Sequence, residues 1–74
     1  MCKGEIYMEQ IIIEIGGTIN TTFPFYVEVR DENGVSLHKL MKGYVGALTF
    51  SDDLEWLLNN MGYMVIKVDE VPPL

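Results

Sequence analysis

The sequence predicts an α+β fold: a mainly antiparallel sheet of four to five strands with one helix packed on one face, in the order β-β-β-(β)-α-β. Several segments alternate apolar and polar residues with a period of two, which is typical of half-buried strands. Residues 49–68 combine a helix start signal, an apolar stripe of period 3.6 and a helix stop signal. With 74 residues, the chain is predicted to be one domain, 1–74, whose ends at 1–5 and 70–74 are frayed.

The first predicted strand covers residues 6–15. Its odd positions from 11 to 15 are isoleucines, which gives the strand one strongly apolar face. Residues 16–22 begin with two glycines, a feature shared with phosphate-binding loops. Such a loop needs a helix directly after the glycines. Here Thr and Asn residues and then a strand follow, so we expect a plain connection.

The next two predicted strands, 25–30 and 35–41, alternate in the same way. Between them lies Asn33-Gly34, a pair that favours the positive backbone angles of a tight hairpin turn. Residues 44–50 are interpreted as a further strand, which the small side chains at its centre weaken. The alternative is one bent strand that runs from 35 to 49.

The helix is predicted to begin at Ser51, whose hydroxyl suits an N-cap position. Three carboxylates then fall in the first turn, where they complement the positive end of the helix dipole. Gly62 is expected to end the helix as a left-handed cap. The last strand, 63–68, either adds to an edge of the sheet or inserts beside the first strand. The predicted buried stripe consists of Leu54, Leu57, Leu58 and Met61.

Motifs and composition argue against an enzyme, a cofactor or a metal site. Nucleophilic catalysis needs a Ser, Cys or Thr beside a base. The one histidine, His38, lies on a predicted strand with no acidic partner at a fixed spacing. Cys2 is the one cysteine, so no intrachain disulfide forms, and no apolar signal-peptide core precedes the strands. We therefore expect a reducing, cytoplasmic location.

The formal net charge is -6, from 11 acidic and 5 basic residues. Because the basic residues are scattered and binding to phosphates needs them clustered, we expect neither nucleic acid nor membrane as a direct partner. An acidic surface does favour a basic protein partner. Trp56 is interpreted either as the edge of the buried helix face or as an interface anchor. The candidate partner-binding residues are Asp52, Asp53, Glu55 and Trp56, an acidic patch with an aromatic centre, and then Asp31 and Glu32.

The predicted sheet has apolar residues on both faces, whereas one helix covers only one face. The second face is therefore either partly exposed or paired with another copy of the chain. A homodimer through that face or through an edge strand is an expectation that follows. The apolar residues opposite the core set include Ile12, Tyr26, Leu40 and Ile66.

A small, acidic, single-domain chain without a catalytic constellation is best interpreted as a non-enzymatic protein-binding module. In size, charge and lack of a motif, it resembles the short acidic inhibitors that phages encode against host defence, above all the anti-CRISPR proteins. This resemblance implies a viral protein, in the host cytoplasm, that blocks a basic nucleic-acid-binding or assembly surface of a CRISPR effector. Acidic side chains would take the place of phosphates there. The alternative is a small self-associating structural or adaptor subunit.

Overall fold

The computed structural model describes residues 9–71, which form a four-stranded sheet with one helix on one face. The strand order is β3-β2-β1-β4, and the predicted α+β class is confirmed. The predicted frayed ends, like Cys2, lie outside the described residues except for Glu70 and Val71. The elements are β1 (Gln10–Gly17), β2 (Phe25–Asp31), β3 (Gly34–Met41), α1 (Tyr44–Asn60) and β4 (Met64–Asp69).

The sheet is mixed, so the prediction of a mainly antiparallel sheet holds for only two of its three strand pairs. β1 pairs with β2, and β2 with β3, in antiparallel fashion, whereas β4 lies parallel to β1 at the far edge. β3 and β4 therefore run in the same direction at opposite edges. Parallel strands need a long crossover connection, usually a helix, and α1 supplies it across the helix-covered face.

The predicted strand at residues 44–50 is wrong, because this segment forms the first two turns of α1. Its Val, Thr and aromatic residues favour a strand locally. The burial pattern shows the reason for the helix: Ala47 and Ser51 are fully buried, and Tyr44 and Leu48 pack beside them. These positions are spaced by three and four residues, as one helical face requires.

The core lies between α1 and the central strands. Ile11, Ile13 and Ile15 of β1 and Val27 and Val29 of β2 are buried, as the period-two pattern predicts. Small side chains face them from the helix, which brings its backbone close to the sheet. Partly buried residues surround this centre: Met41, Tyr44, Leu48, Phe50, Leu54, Leu58, Tyr63, Val65 and Val71.

The predicted helix stripe is half correct. Leu54 and Leu58 pack on the core, but Leu57 and Met61 are 49% and 62% exposed. The helix begins seven residues before Ser51, and the buried residues of those added turns lie on the face that Leu54 and Leu58 share. The buried face is therefore centred on Leu54 and Leu58 and leaves Leu57 at its margin. Ser51 is consequently not an N-cap but an interior residue of the helix.

Local signals at two turns are confirmed. Gly62 has a φ of 97° and ends α1. The Tyr63 amide donates to the Leu58 carbonyl (3.0 Å), and the Gly62 amide donates to the Asn59 carbonyl (3.1 Å). These two hydrogen bonds form a Schellman motif. The hairpin turn also forms, but only Gly34 has a positive φ, 121°. The pairing shifts register between Val29 and Arg30, so Val35 lies on the opposite face from the one predicted.

Candidate protein-binding surface

The C-terminal half of α1 and its C-cap carry large exposed apolar residues. Trp56 is 68% exposed, and Leu57 and Met61 are exposed beside it. Asp53 precedes them by three, four and eight residues and is exposed too. At about 100° per residue, the four lie within an arc of about 140°, from Trp56, which points away from the sheet, to Met61, which continues the line of Leu54. We call Asp53, Trp56, Leu57 and Met61 the outer helix surface.

The predicted acidic patch is divided between two sides of α1. Asp52 and Glu55 turn toward β4, where Lys67 Nζ donates a hydrogen bond to Asp52 Oδ1 and lies 3.5 Å from Glu55 Oε1. The hydrogen bond to Asp52 is the main cause of the raised pKa of Lys67. Asp53 joins no ion pair among residues 9–71 and faces outward with Trp56.

The start of α1 at Tyr44 also removes the explanation that the sequence offered for these carboxylates. They lie two turns or more inside the helix, beyond the first turn to which dipole stabilisation extends. Lys67 accounts for Asp52 and Glu55, although an exposed ion pair of this kind contributes only about 0–1 kcal/mol. Asp53 and Trp56 have no comparable structural explanation within the described residues.

Asp31 and Glu32, the other predicted binding residues, lie in the β2–β3 turn. An Asp31 carboxylate oxygen accepts a hydrogen bond from the Asn33 amide at 2.8 Å, which stabilises the turn. Because α1 runs antiparallel to β3, this turn and the C-terminal end of α1 lie at the same end of the sheet. No hydrogen bond or ion pair within residues 9–71 joins them to the outer helix surface.

The sheet face opposite α1, which we call the open face, carries a hydrogen-bonded cluster at its centre. The Glu14 carboxylate accepts hydrogen bonds from the Tyr26 hydroxyl and from Arg30 Nη1, the latter at 2.6 Å. Arg30 also donates to Glu28 at 3.0 Å, and Glu28 Oε1 lies 3.3 Å from Nδ1 of His38. The Tyr26 and His38 rings stack with their centroids 5.1 Å apart.

His38 has no acidic partner at a fixed sequence spacing, but the β2–β3 register places Glu28 directly opposite it. Sequence reasoning missed this cluster as a whole. The sequence did contain a signal for the cluster: the polar positions of the alternating strands are Glu14, Tyr26, Glu28 and Arg30. That alternation assigns each residue to a face of its strand but does not specify the cross-strand neighbour.

No protein-family model, curated protein or solved structure matches this chain. The surfaces themselves are thus the basis for a functional proposal.

At the centre of the open-face cluster, the hydrogen bond between Tyr26 and Glu14 shifts both of their pKa values away from neutrality. The hydrogen bond from Tyr26, supported by the one from Arg30, lowers the pKa of Glu14 from its ordinary value. The same bond to Glu14 raises the pKa of Tyr26 to about 12. At neutral pH the phenol thus remains a neutral donor and the carboxylate stays ionised, so neither is poised for proton transfer. Among residues 9–71, no three acidic, His or Cys side chains are grouped to hold a metal.

Apolar side chains flank the cluster on both sides of the open face. Toward one edge they belong to β1 and β4, and toward the other edge they belong to β3. The flanking residues are Ile12, Met64, Ile66 and Val68 on the first side and Val35 and Leu40 on the second. Within the described residues, no helix is both long and apolar enough to cross a membrane.

Proposed function

We propose that this protein is a non-enzymatic protein-binding module whose contact surface is the outer helix surface. The observation that supports the proposal most strongly is the exposure of Trp56, whose indole lies outside the core among other exposed apolar residues. Binding energy in protein interfaces is concentrated in a few such anchors, and Trp is enriched among them. Leu57 and Met61, four residues apart, lie on one strip of the helix, and Trp56 lies about 100° from Leu57, so a partner would contact a wide helix surface rather than a single stripe.

The charge of the chain supports a basic partner. Asp53 lies next to the apolar residues, and the whole protein has a net charge of -6. Long-range attraction of this kind accelerates encounter with a positive surface and orients the two proteins. Asp31 and Glu32, in the turn at the end of the sheet where α1 ends, add to the negative potential.

At a finer level, we propose an inhibitor of the phage-encoded, anti-CRISPR type. Its target would be the basic nucleic-acid-binding or assembly surface of a host defence complex. Support comes from the small size, the acidic balance and the resemblance in kind. Carboxylates on a rigid helix can occupy positions that phosphates take in the target's own ligand. Trp56 would then supply the apolar contact that a nucleic-acid backbone lacks.

Affinity capture from host lysate tests this proposal with two surface variants. Trp56→Ala removes the anchor, and Asp53→Lys reverses the charge beside it. We expect each to weaken capture of the specific partner, and Trp56→Ala to do so by about 30-fold, the equivalent of a 2 kcal/mol anchor. Glu70→Lys is the matched charge control, because Glu70 is exposed and lies outside the outer helix surface.

The identity of the captured protein decides the finer proposal. A nucleic-acid-handling protein that heparin, a polyanion, displaces from the wild-type chain would support it. The broader proposal fails if the captured proteins are the same for wild type, Trp56→Ala and Asp53→Lys while all three remain folded by circular dichroism.

A further inference from the structure

We propose that the open face is a self-association surface and that its occupant is a second copy of this chain. The interface would be two-fold symmetric, with the helices of both copies on the outside. This inference goes beyond the proposed function, because it uses the face of the sheet that the outer helix surface does not share.

The apolar flanks of the open face are incompletely covered in the monomer. Ile66 is 40% exposed, Met64 43% and Leu40 41%, although all belong to paired strands. A helix shields the other face of the same sheet, whereas nothing among residues 9–71 shields this one. A sheet buried on both faces is the stable arrangement when both faces carry apolar side chains.

The polar centre of the open face is suited to burial. The Glu14 and Glu28 side chains are only 15% and 19% exposed, and Arg30 binds both. Desolvation is costly for an isolated charge but much less so for charges that are already paired and hydrogen-bonded. A second copy can therefore cover the cluster while both carboxylates keep their hydrogen bonds to Arg30.

The weak net charge of the open face gives a strongly charged partner little to bind and is compatible with a second copy. The open face has two carboxylates against one guanidinium, whereas the whole chain has 11 acidic residues against 5 basic ones. The charge on this face is thus small beside the -6 of the whole chain, so two copies repel each other only weakly across it. Arg30 and Glu28 lie in line along β2, so a two-fold axis across the strands brings Arg30 of each copy toward Glu28 of the other.

The size of the face sets the strength of this dimer. Four strands about 4.8 Å apart and roughly six to eight residues long form a face of about 20 by 20–25 Å. Its projected area of about 450 Å² is below the roughly 800 Å² per partner of a standard interface. We therefore expect a weak dimer, with a Kd of about 10–100 μM.

Analytical ultracentrifugation of the full chain tests this inference. From about 5 μM to about 1 mM, the weight-average mass should rise from that of the 8.4 kDa monomer toward the dimer. Ile66→Lys should raise the Kd at least about tenfold, because it places an unpaired charge in the apolar flank. Leu57→Lys is the matched control on the outer helix surface and should change the Kd less than about twofold.

Two results would overturn the inference: a wild-type chain that stays monomeric throughout this range, or a dimer that Leu57→Lys disrupts and Ile66→Lys does not. If Ile66→Lys unfolds by circular dichroism, Leu40→Lys replaces it on the opposite flank. Trp56→Ala should weaken partner capture by about 30-fold yet leave the dimer intact. Failure of one proposal is thus distinguishable from failure of the other.

Discussion

At the scale of single residues, Ser51 stands out because a polar side chain occupies the centre of the helix–sheet interface. Its side chain is fully buried, and its hydroxyl has no hydrogen-bond partner among the described residues. A buried, unsatisfied hydroxyl costs about 1–3 kcal/mol. Ser51→Ala should therefore raise the free energy of unfolding by about 1 kcal/mol, measured from urea denaturation.

The reverse change at the neighbouring buried position is the control. Ala47 is equally buried and one turn away, so Ala47→Ser should destabilise by a similar amount. If Ser51→Ala instead lowers stability, the hydroxyl makes a favourable contact and this explanation fails.

The hydrogen bond from Tyr26 to Glu14 should make the stability of the protein depend on pH in alkaline solution. The raised pKa of Tyr26, about 12, lies above the ordinary value of 10.0. Because the folded protein holds this proton more tightly, the contribution is complete below pH 10 and is lost as the pH rises through about 12. The wild-type protein should thus lose more stability over this range than Tyr26→Phe does, as urea midpoints at increasing pH would show.

Gly16 offers a second test of the same hydrogen bond. A Cβ at this position would overlap the Tyr26 ring, which lies over the glycine. Gly16→Ala should displace the ring, weaken its bond to Glu14 and lower the pKa of Tyr26 toward 10, as phenolate absorbance would show. Gly17→Ala is the control, because its Cβ meets only the Pro24 carbonyl oxygen at 3.9 Å. Equal titration curves for the two variants would contradict this account.

At the scale of elements, Gly46 tests where the helix begins. It lies inside α1, and an added Cβ would have room beside Met41. Gly46→Ala should stabilise the protein by about 0.5–1 kcal/mol, because alanine is the better helix former. Gly46→Val should be about 0.5 kcal/mol less stable than Gly46→Ala. In a strand the order would reverse, so urea denaturation of both variants distinguishes the two structures.

Sequence reasoning succeeded for elements whose signals are local. The isoleucines of β1, the Asn33-Gly34 hairpin and the Gly62 helix end all depend on neighbouring residues. The start of α1 was mispredicted because Ser51 and three following acids imitate a helix N-terminus. In the fold, these residues are interior, and the actual start after Gly43 has no side-chain cap.

Pairings between distant elements could not be predicted for a physical reason. Alternation gives the face of each residue, but strand register depends on the assembled sheet. The Glu28–His38 pair and the capture of Asp52 by Lys67 both follow from register and from the crossover of α1. For the candidate site, the sequence allowed Asp53 and Trp56 to be exposed. That the acidic patch is divided between two sides of α1 could be seen only in the tertiary structure.

At the scale of the whole molecule, the two proposed interactions should respond to salt in opposite directions. Two copies with a net charge of -6 repel one another, so screening should strengthen a dimer that apolar contacts hold together. Binding to a basic partner depends on attraction, so the same salt should weaken it. Sedimentation at low and high ionic strength measures the dimer, and capture under the same conditions measures partner binding. If salt strengthens both interactions or weakens both, one of the two proposals is wrong.

Because β4 is the last strand to be synthesised, β1 lacks one of its two neighbours for most of translation. Ile11 pairs with Val65, so the isoleucine-rich β1 acquires its second neighbour only after nearly all of the described chain has been made. Until then, the nascent chain presents an apolar strand edge with unpaired backbone groups, which is a template for aggregation. Ribosome-bound or truncated chains that stop before Met64 should accordingly depend on chaperones.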